Sequence, residues 1–175
     1  MKKLLYNFLL VDDHPVILDA IKNMISKSDL SDGVFTASNG KDAIKIINSE
    51  LIHFLITDIS MPEINGIELI KQASQINQEL KILAFTQHTE LQIIKQLYQL
   101  NINGILLKSE PLTTIETAVA NILQGKNHYS NAIDSIILQS IKNPETEKDI
   151  LIKLSQRESQ VLKLIFEEKT TKEIA

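Results

Sequence analysis

Short apolar runs that stop at a polar or charged residue recur along the chain. Leu9-Leu10-Val11 ends at Asp12-Asp13, Phe54-Leu55-Ile56-Thr57 at Asp58, Ile82-Leu83-Ala84-Phe85 at Thr86, and Gly104-Ile105-Leu106-Leu107 at Lys108. Runs that are apolar throughout, rather than alternating, predict strands buried on both faces. Val34-Phe35-Thr36-Ala37 is a further strand with a weaker pattern. Between these runs, apolar residues recur at three- and four-residue spacing, which predicts amphipathic helices. The first carries Ile17, Ala20, Ile21, Met24 and Ile25, with Pro15 suited to its first turn. The second carries Ala43, Ile44 and Ile47, and the third Ile67, Ile70 and Ala73. The fourth carries Leu91, Ile94, Leu97 and Tyr98, and the fifth Ile115, Ala118, Val119 and Ile122. Five β-then-α units in residues 1–125 imply an α/β fold, a five-stranded parallel sheet doubly wound with helices on both faces.

After Gly125 the alternation stops. Ile133, Ile136, Ile137 and Ile141 predict a linker helix, and the polar, Pro-containing stretch from Lys142 to Asp149 reads as interdomain linker. Ser155 with Glu158 and Thr170 with Glu173 match capping boxes, which open two further helices. The expected division is therefore an α/β unit over 1–125, a linker over 126–153 and the start of an all-α unit over 154–175.

Charge and composition narrow the functional classes. Residues 1–125 hold 10 Lys against 14 Asp and Glu, whereas the remaining 50 residues balance at 8 and 8. An acidic first unit argues against nucleic-acid binding there. There is no cysteine, hence no disulfide frame and no thiolate metal site. The apolar N-terminal run is short and ends in two acids instead of a small-residue cleavage site, so it reads as a strand and not a signal peptide. No run is long enough to span a bilayer, and a cytoplasmic location is expected.

In a parallel sheet the strand ends lie along one edge, where open α/β sheets bind ligands. Asp12, Asp13, Asp58, Thr86 and Lys108 thus converge from distant parts of the chain. Three carboxylates about 5 Å apart at an effective dielectric of about 20 repel by roughly 3 kcal/mol per pair. A hard cation with oxygen ligands, Mg²⁺, together with Lys108 would offset them. A phosphoryl group could then be accepted by Asp58, since carboxylates form aspartyl-phosphates. Each residue alone has a plainer reading: acids before a helix are usually caps, a strand-end Lys is usually solvated, and His14 and His88 read as loop residues. The joint placement is what carries the signal.

These residues resemble the receiver domain of two-component response regulators over residues 1–125, through Val11-Asp-Asp-His-Pro15, Thr57-Asp-Ile-Ser-Met-Pro62 with Asn65-Gly66, Thr86, and Leu106-Leu-Lys108. Leu154-Ser-Gln-Arg-Glu-Ser-Gln-Val-Leu162 and Thr171-Lys-Glu-Ile-Ala175 resemble the opening of a LuxR-type helix-turn-helix, and the whole resembles the NarL/FixJ class. The resemblance implies a flavodoxin-like sheet of order 2-1-3-4-5, with Asp58 as phosphoacceptor and a sensor histidine kinase as phosphodonor. It implies Mg²⁺ or Mn²⁺ held by Asp12, Asp13, Asp58 and the backbone carbonyl of Ser60. Thr86 and Lys108 would be the switch hydroxyl and the phosphate-binding cation. Ser60 and His88 occupy positions that tune dephosphorylation. It also implies a homodimer on phosphorylation and control of DNA binding for transcription, without turnover enzymology. Two features depart from the family: Ile105 stands where an aromatic switch residue is usual, and Lys108 is followed by Ser109-Glu110 before Pro111. The resemblance to the DNA-reading unit stops before a recognition helix, so DNA binding is expected only with C-terminal helices beyond Ala175. A phosphorylation-independent interaction module and a haloacid-dehalogenase-like phosphatase are the alternatives. The latter wants a second acid where Ser60 stands.

Overall fold

The computed structural model describes residues 5–142. The expectations for residues 143–175, including both capping boxes and the helix-turn-helix resemblance, lie outside the described residues. By its internal contacts the chain divides after Ile137, and the first unit, Met1–Ile137, holds the sheet.

The strands are β1 (Tyr6–Val11), β2 (Ser31–Ala37), β3 (Phe54–Thr57), β4 (Lys81–Thr86), β5 (Gly104–Leu107) and β6 (His128–Tyr129). The helices are α1 (Pro15–Lys27), α2 (Gly40–Ser49), α3 (Gly66–Ile76), α4 (Leu91–Gln99), α5 (Thr113–Leu123) and α6 (Asn131–Lys142). All strand pairs are parallel and the order is β2-β1-β3-β4-β5-β6.

Period-two alternation divides each central strand between two cores. Phe8 and Leu10, Phe54 and Ile56, Leu83 and Phe85, and Leu106 face one side, packed with Ile21 and Ile25 of α1 and with Ile115, Ala118, Val119 and Ile122 of α5. Leu9, Val11, Leu55, Ile82, Ala84, Ile105 and Leu107 face the other, packed with α2, α3 and α4. Burial on both faces is why these strands carry no polar alternation.

The structure departs from the sequence pattern in three places. β2 starts at Ser31, three residues before its apolar run. It is an edge strand in which Ala37 alone is buried, so pairing with β1 and not hydrophobicity sets its length. Tyr98, expected on the buried face of α4, is 46% exposed, while Ile94 and Leu97 are fully buried. The sheet also has a sixth strand. Helix α5 ends in a Schellman motif: Gly125, at φ +82°, donates to Ile122 O, and Lys126 N–H donates to Asn121 O. The chain turns back to the sheet and pairs Gly104 with His128 and Ile105 with Tyr129. Two residues are too few for periodicity to signal. Tyr129 contacts the Tyr98 ring at 6.1 Å, and Ile133 of α6 is fully buried against the α2–α4 side.

Among the described residues no helix is long and apolar enough to cross a membrane.

Two outcomes are expected. Ile133→Ala should lower unfolding free energy by about 2–4 kcal/mol in urea titration, the cost of deleting a core isoleucine. Burial, then Tyr98 and Asp134, raises the Tyr129 phenol above its ordinary value. The folded state therefore favours the neutral phenol. That contribution is complete below the unfolded value of about 10 and is lost as pH rises through the raised folded one. Tyr129→Phe should remove that alkaline loss in denaturation measured against pH.

Candidate functional site

The C-terminal ends of β1, β3, β4 and β5 deliver the site. Asp58 follows β3 directly and is 2% exposed. Its backbone N–H donates to Val11 O at 2.8 Å, which extends the β1–β3 ladder and fixes the residue beside Asp12. Asp58 Oδ1 accepts from the Ile59 N–H at 2.6 Å. The loop beyond is held by Gly66, whose N–H donates to Ile59 O at 2.9 Å, and by Asn65, which caps α3 by accepting from the Glu68 N–H. A Cβ on Gly66 would lie 2.0 Å from Asp58 O, so only glycine lets α3 start this close to the strand end.

Asp12 is equally buried, at 3% exposure, and Asp13 is exposed. Lys108 joins the two buried acids. Its Nζ lies 2.7 Å from Asp12 Oδ2 and 2.8 Å from Asp58 Oδ2. The Lys108 backbone N–H donates to Thr86 O at 2.7 Å, so β4 and β5 set the lysine in register with the acids. Thr86 is fully buried, and its Oγ1 accepts from the His88 N–H at 3.1 Å.

Ligand atoms of Asp12, Asp13, His14 and Asp58 lie within 4.8 Å of one another. Three carboxylates against one lysine leave an excess of negative charge, and the oxygen set suits a hard divalent cation. The residues present therefore fit a divalent ion. The predicted Asp12, Asp58 and Lys108 are in direct contact, Asp13 lies in the same cluster of ligand atoms, and Thr86 stands at the adjoining strand end.

Residues 8–120 match the response regulator receiver domain family. The chain belongs to that family. The chain is 27% identical to the response regulator UvrY of Escherichia coli (strain K12) over 169 residues, 97% of this chain and 78% of the relative. It is 31% identical over 168 residues to a putative transcriptional regulator of Pseudomonas aeruginosa, covering 95% of this chain and 79% of that one. Among solved structures it resembles RcsB of Salmonella enterica serovar Typhimurium bound to a promoter in the presence of phosphomimetic BeF3−. The TM-score is 0.74 at 29% identity, over 97% of this chain and 81% of that one. The flavodoxin-like receiver architecture that the resemblance implied is thus the one observed, with strand order 2-1-3-4-5 continued by β6.

Two residues of the receiver site carried no signal of their own in the sequence. His14, read as a loop residue, bridges the acidic pair: Nδ1 lies 3.0 Å from Asp12 Oδ1 and 2.8 Å from Asp13 Oδ1, and its N–H donates to Asp12 Oδ1 at 2.9 Å. Its place directly after the acids was the available hint. Glu90 accepts from His88 Nδ1 at 2.9 Å, and His88 Nε2 meets Ser60 Oγ. Ile105 is fully buried between Ala84 and Tyr129 in the sheet. No peptide bond among the described residues is cis, including the bonds around Ser109 and Pro111.

Lys108→Met should cost about 3 kcal/mol in urea unfolding, because removing one partner leaves buried carboxylates unpaired. Adding Asp58→Asn to that variant should recover part of the loss, read as non-additivity in the double-mutant cycle.

Proposed function

We propose that the chain is a two-component response regulator that accepts a phosphoryl group on Asp58 from a sensor histidine kinase. The observation that supports this best is the Lys108 ammonium held between the buried Asp12 and Asp58 carboxylates. A nucleophilic carboxylate beside a fixed cation, with the Thr86 hydroxyl at the next strand end, is a set suited to binding a phosphoryl group.

On this reading Asp58 Oδ attacks phosphorus as the donor's phosphorus–nitrogen bond breaks. Lys108 shifts from the carboxylate pair toward the arriving phosphoryl oxygens, and Thr86 turns its hydroxyl toward them. Asp12, Asp13, Asp58 and the Ser60 carbonyl would hold Mg²⁺ or Mn²⁺, with Asp13 the more direct ligand. When bound, the ion neutralises charge on the transferring phosphoryl group. Ser60 and His88 border the site and tune loss of the group. The chain is modified once and is not a turnover enzyme.

The added charge then biases a dimerisation equilibrium. The promoter-bound RcsB structure is one in the presence of a phosphomimetic, and the UvrY match is a response regulator. We extend this to the chain: phosphorylation controls dimerisation and thereby DNA binding for transcription in the cytoplasm. DNA would be read by a LuxR-type unit that begins near residue 154, after a linker that follows the 1–125 receiver. Ile105 marks an altered aromatic-switch position, so the route from Thr86 to the output surface differs from the aromatic one.

Incubation with acetyl phosphate and Mg²⁺ should add one phosphoryl mass to the protein by intact mass spectrometry, and none to Asp58→Asn. Absence of added mass on the wild-type chain would favour a phosphorylation-independent interaction module.

A further inference from the structure

The edge of the sheet opposite Asp58 holds a cavity of about 280 Å³. It lies at the starts of β4 and β5, between the last turn of α3 and the chain that leaves α4. At roughly 30 Å³ per water-sized group it has room for a molecule of about ten non-hydrogen atoms. Leu80 and Leu100 give it apolar wall, and Ser74, Lys81, Asn101 and Asn103 bring its polar groups. No aspartate or glutamate lines it.

The plain account is a hydrated gap between two helix ends, with a solvated lysine. Three observations go further. Lys81 is half-buried and has no acid partner among the described residues. Asn103 is oriented by the backbone: the Ile82 N–H can only donate, so the atom that meets it at 2.9 Å is Asn103 Oδ1. The Nδ2 hydrogens are what Asn103 has left to offer. Asn101 stands at φ +52°, just past α4. The left-handed residue past α5 is Gly125, which needs no side chain to be accommodated there. The chain keeps an amide at the α4 position instead, and that residue lines the cavity. The partial negative charge of a helix C-terminus opposes an anion. Here it is partly met by cap bonds, from Asn77 N–H to Ala73 O at α3 and from Leu100 N–H to Gln96 O at α4. Lys81 is thus the one unmatched full charge on the cavity wall.

We propose that this cavity is a second input site, which binds a small organic monocarboxylate bearing hydroxyl groups and passes its occupancy to α6. The carboxylate pairs with Lys81 Nζ and accepts from Asn103 Nδ2, while Ser74 Oγ and the Asn101 amide bond the hydroxyls. One cation matches one negative charge; a phosphate dianion would leave a charge unmatched beside two helix C-termini. The segment from Leu100 to Asn103 joins α4 to β5, and β6 is tied to it. His128 N–H donates to Asn103 O at 2.9 Å, and Tyr129 OH to Ile102 O at 3.4 Å. Ser130 then leads into α6, whose Ile133 is fully buried in the core. A ligand that fixes Asn101 and Asn103 therefore bears on the helix that follows the sheet, from the side away from the acid–lysine cluster. Neither part depends on Asp58 being a phosphoacceptor.

The test is a ¹H–¹⁵N NMR titration of the unphosphorylated full chain with lactate, glycerate and shikimate at constant ionic strength, with lactamide as the uncharged control. At least one of the carboxylates should shift the amides of Lys81, Asn101 and Asn103 saturably. A millimolar dissociation constant is expected for so few atoms. The amides of His128, Tyr129 and Ile133 should move along the same binding curve. Lactamide should bind about tenfold more weakly than lactate. Lys81→Met should weaken binding about tenfold, the loss of one charge-assisted bond, while its dispersed amide spectrum shows that it folds. The site would be overturned by the absence of saturable shifts with all three carboxylates, by wild-type affinity in Lys81→Met, by equal affinity for lactamide, or by shifts gathered around Lys108. Saturable shifts that stop short of β6 and α6 would overturn the coupling.

Discussion

One lysine between two buried carboxylates is the contact on which the rest of this structure depends. Lys108 Nζ stands within 2.8 Å of both Asp12 and Asp58, and neither acid has appreciable access to water. Charges are that expensive to bury only when unpaired, so the geometry of the triad has to be held firmly. Three parallel strands, β1, β3 and β5, deliver the three side chains from their ends. The ladder bonds that continue past β3 and β5, from Asp58 to Val11 of β1 and from Lys108 to Thr86 of β4, place the side chains by backbone register. Register is in turn set by the two cores, since a slip of one residue would exchange the inward faces of each strand.

The central strands and the strand-end residues were legible in the sequence for one physical reason. A strand buried on both faces is apolar throughout, so a polar residue at its end is conspicuous, and parallel topology sends all such ends to one edge. What stayed illegible lacked that contrast. The first half of β2 is Ser31-Asp32-Gly33, carried by pairing with β1 at an edge where no hydrophobic pattern is required. Tyr98 fits the helical stripe of α4 but lies at the margin of that face, where its ring meets Tyr129 and stays half in water. His14 and Glu90 act through hydrogen bonds to neighbours two residues away or less, and such contacts depend on rotamers and loop backbone that no periodicity records.

The same cluster ties stability to function. An acid triad with a single lysine is a poor way to stabilise a fold, and its excess negative charge makes the cluster suited to a hard divalent cation. The surrounding scaffold compensates. Gly66 allows α3 to begin against Asp58, Asn65 caps it, and the Ile59 amide takes one carboxylate oxygen.

The sixth strand has a consequence unrelated to phosphate. β5 is four residues of wholly buried, apolar chain, Gly104–Leu107, and without a neighbour its outer backbone would be an open edge of the kind that recruits strands from other molecules. β6 occupies the first half of that edge, and the Ser130 N–H, donating to Ile105 O, carries the pairing one step further. The Schellman turn at Gly125 therefore does more than stop a helix: it folds the exit of the domain over its stickiest border. A fragment ending at the close of α5 would keep every residue of the acid–lysine site and still be prone to self-association.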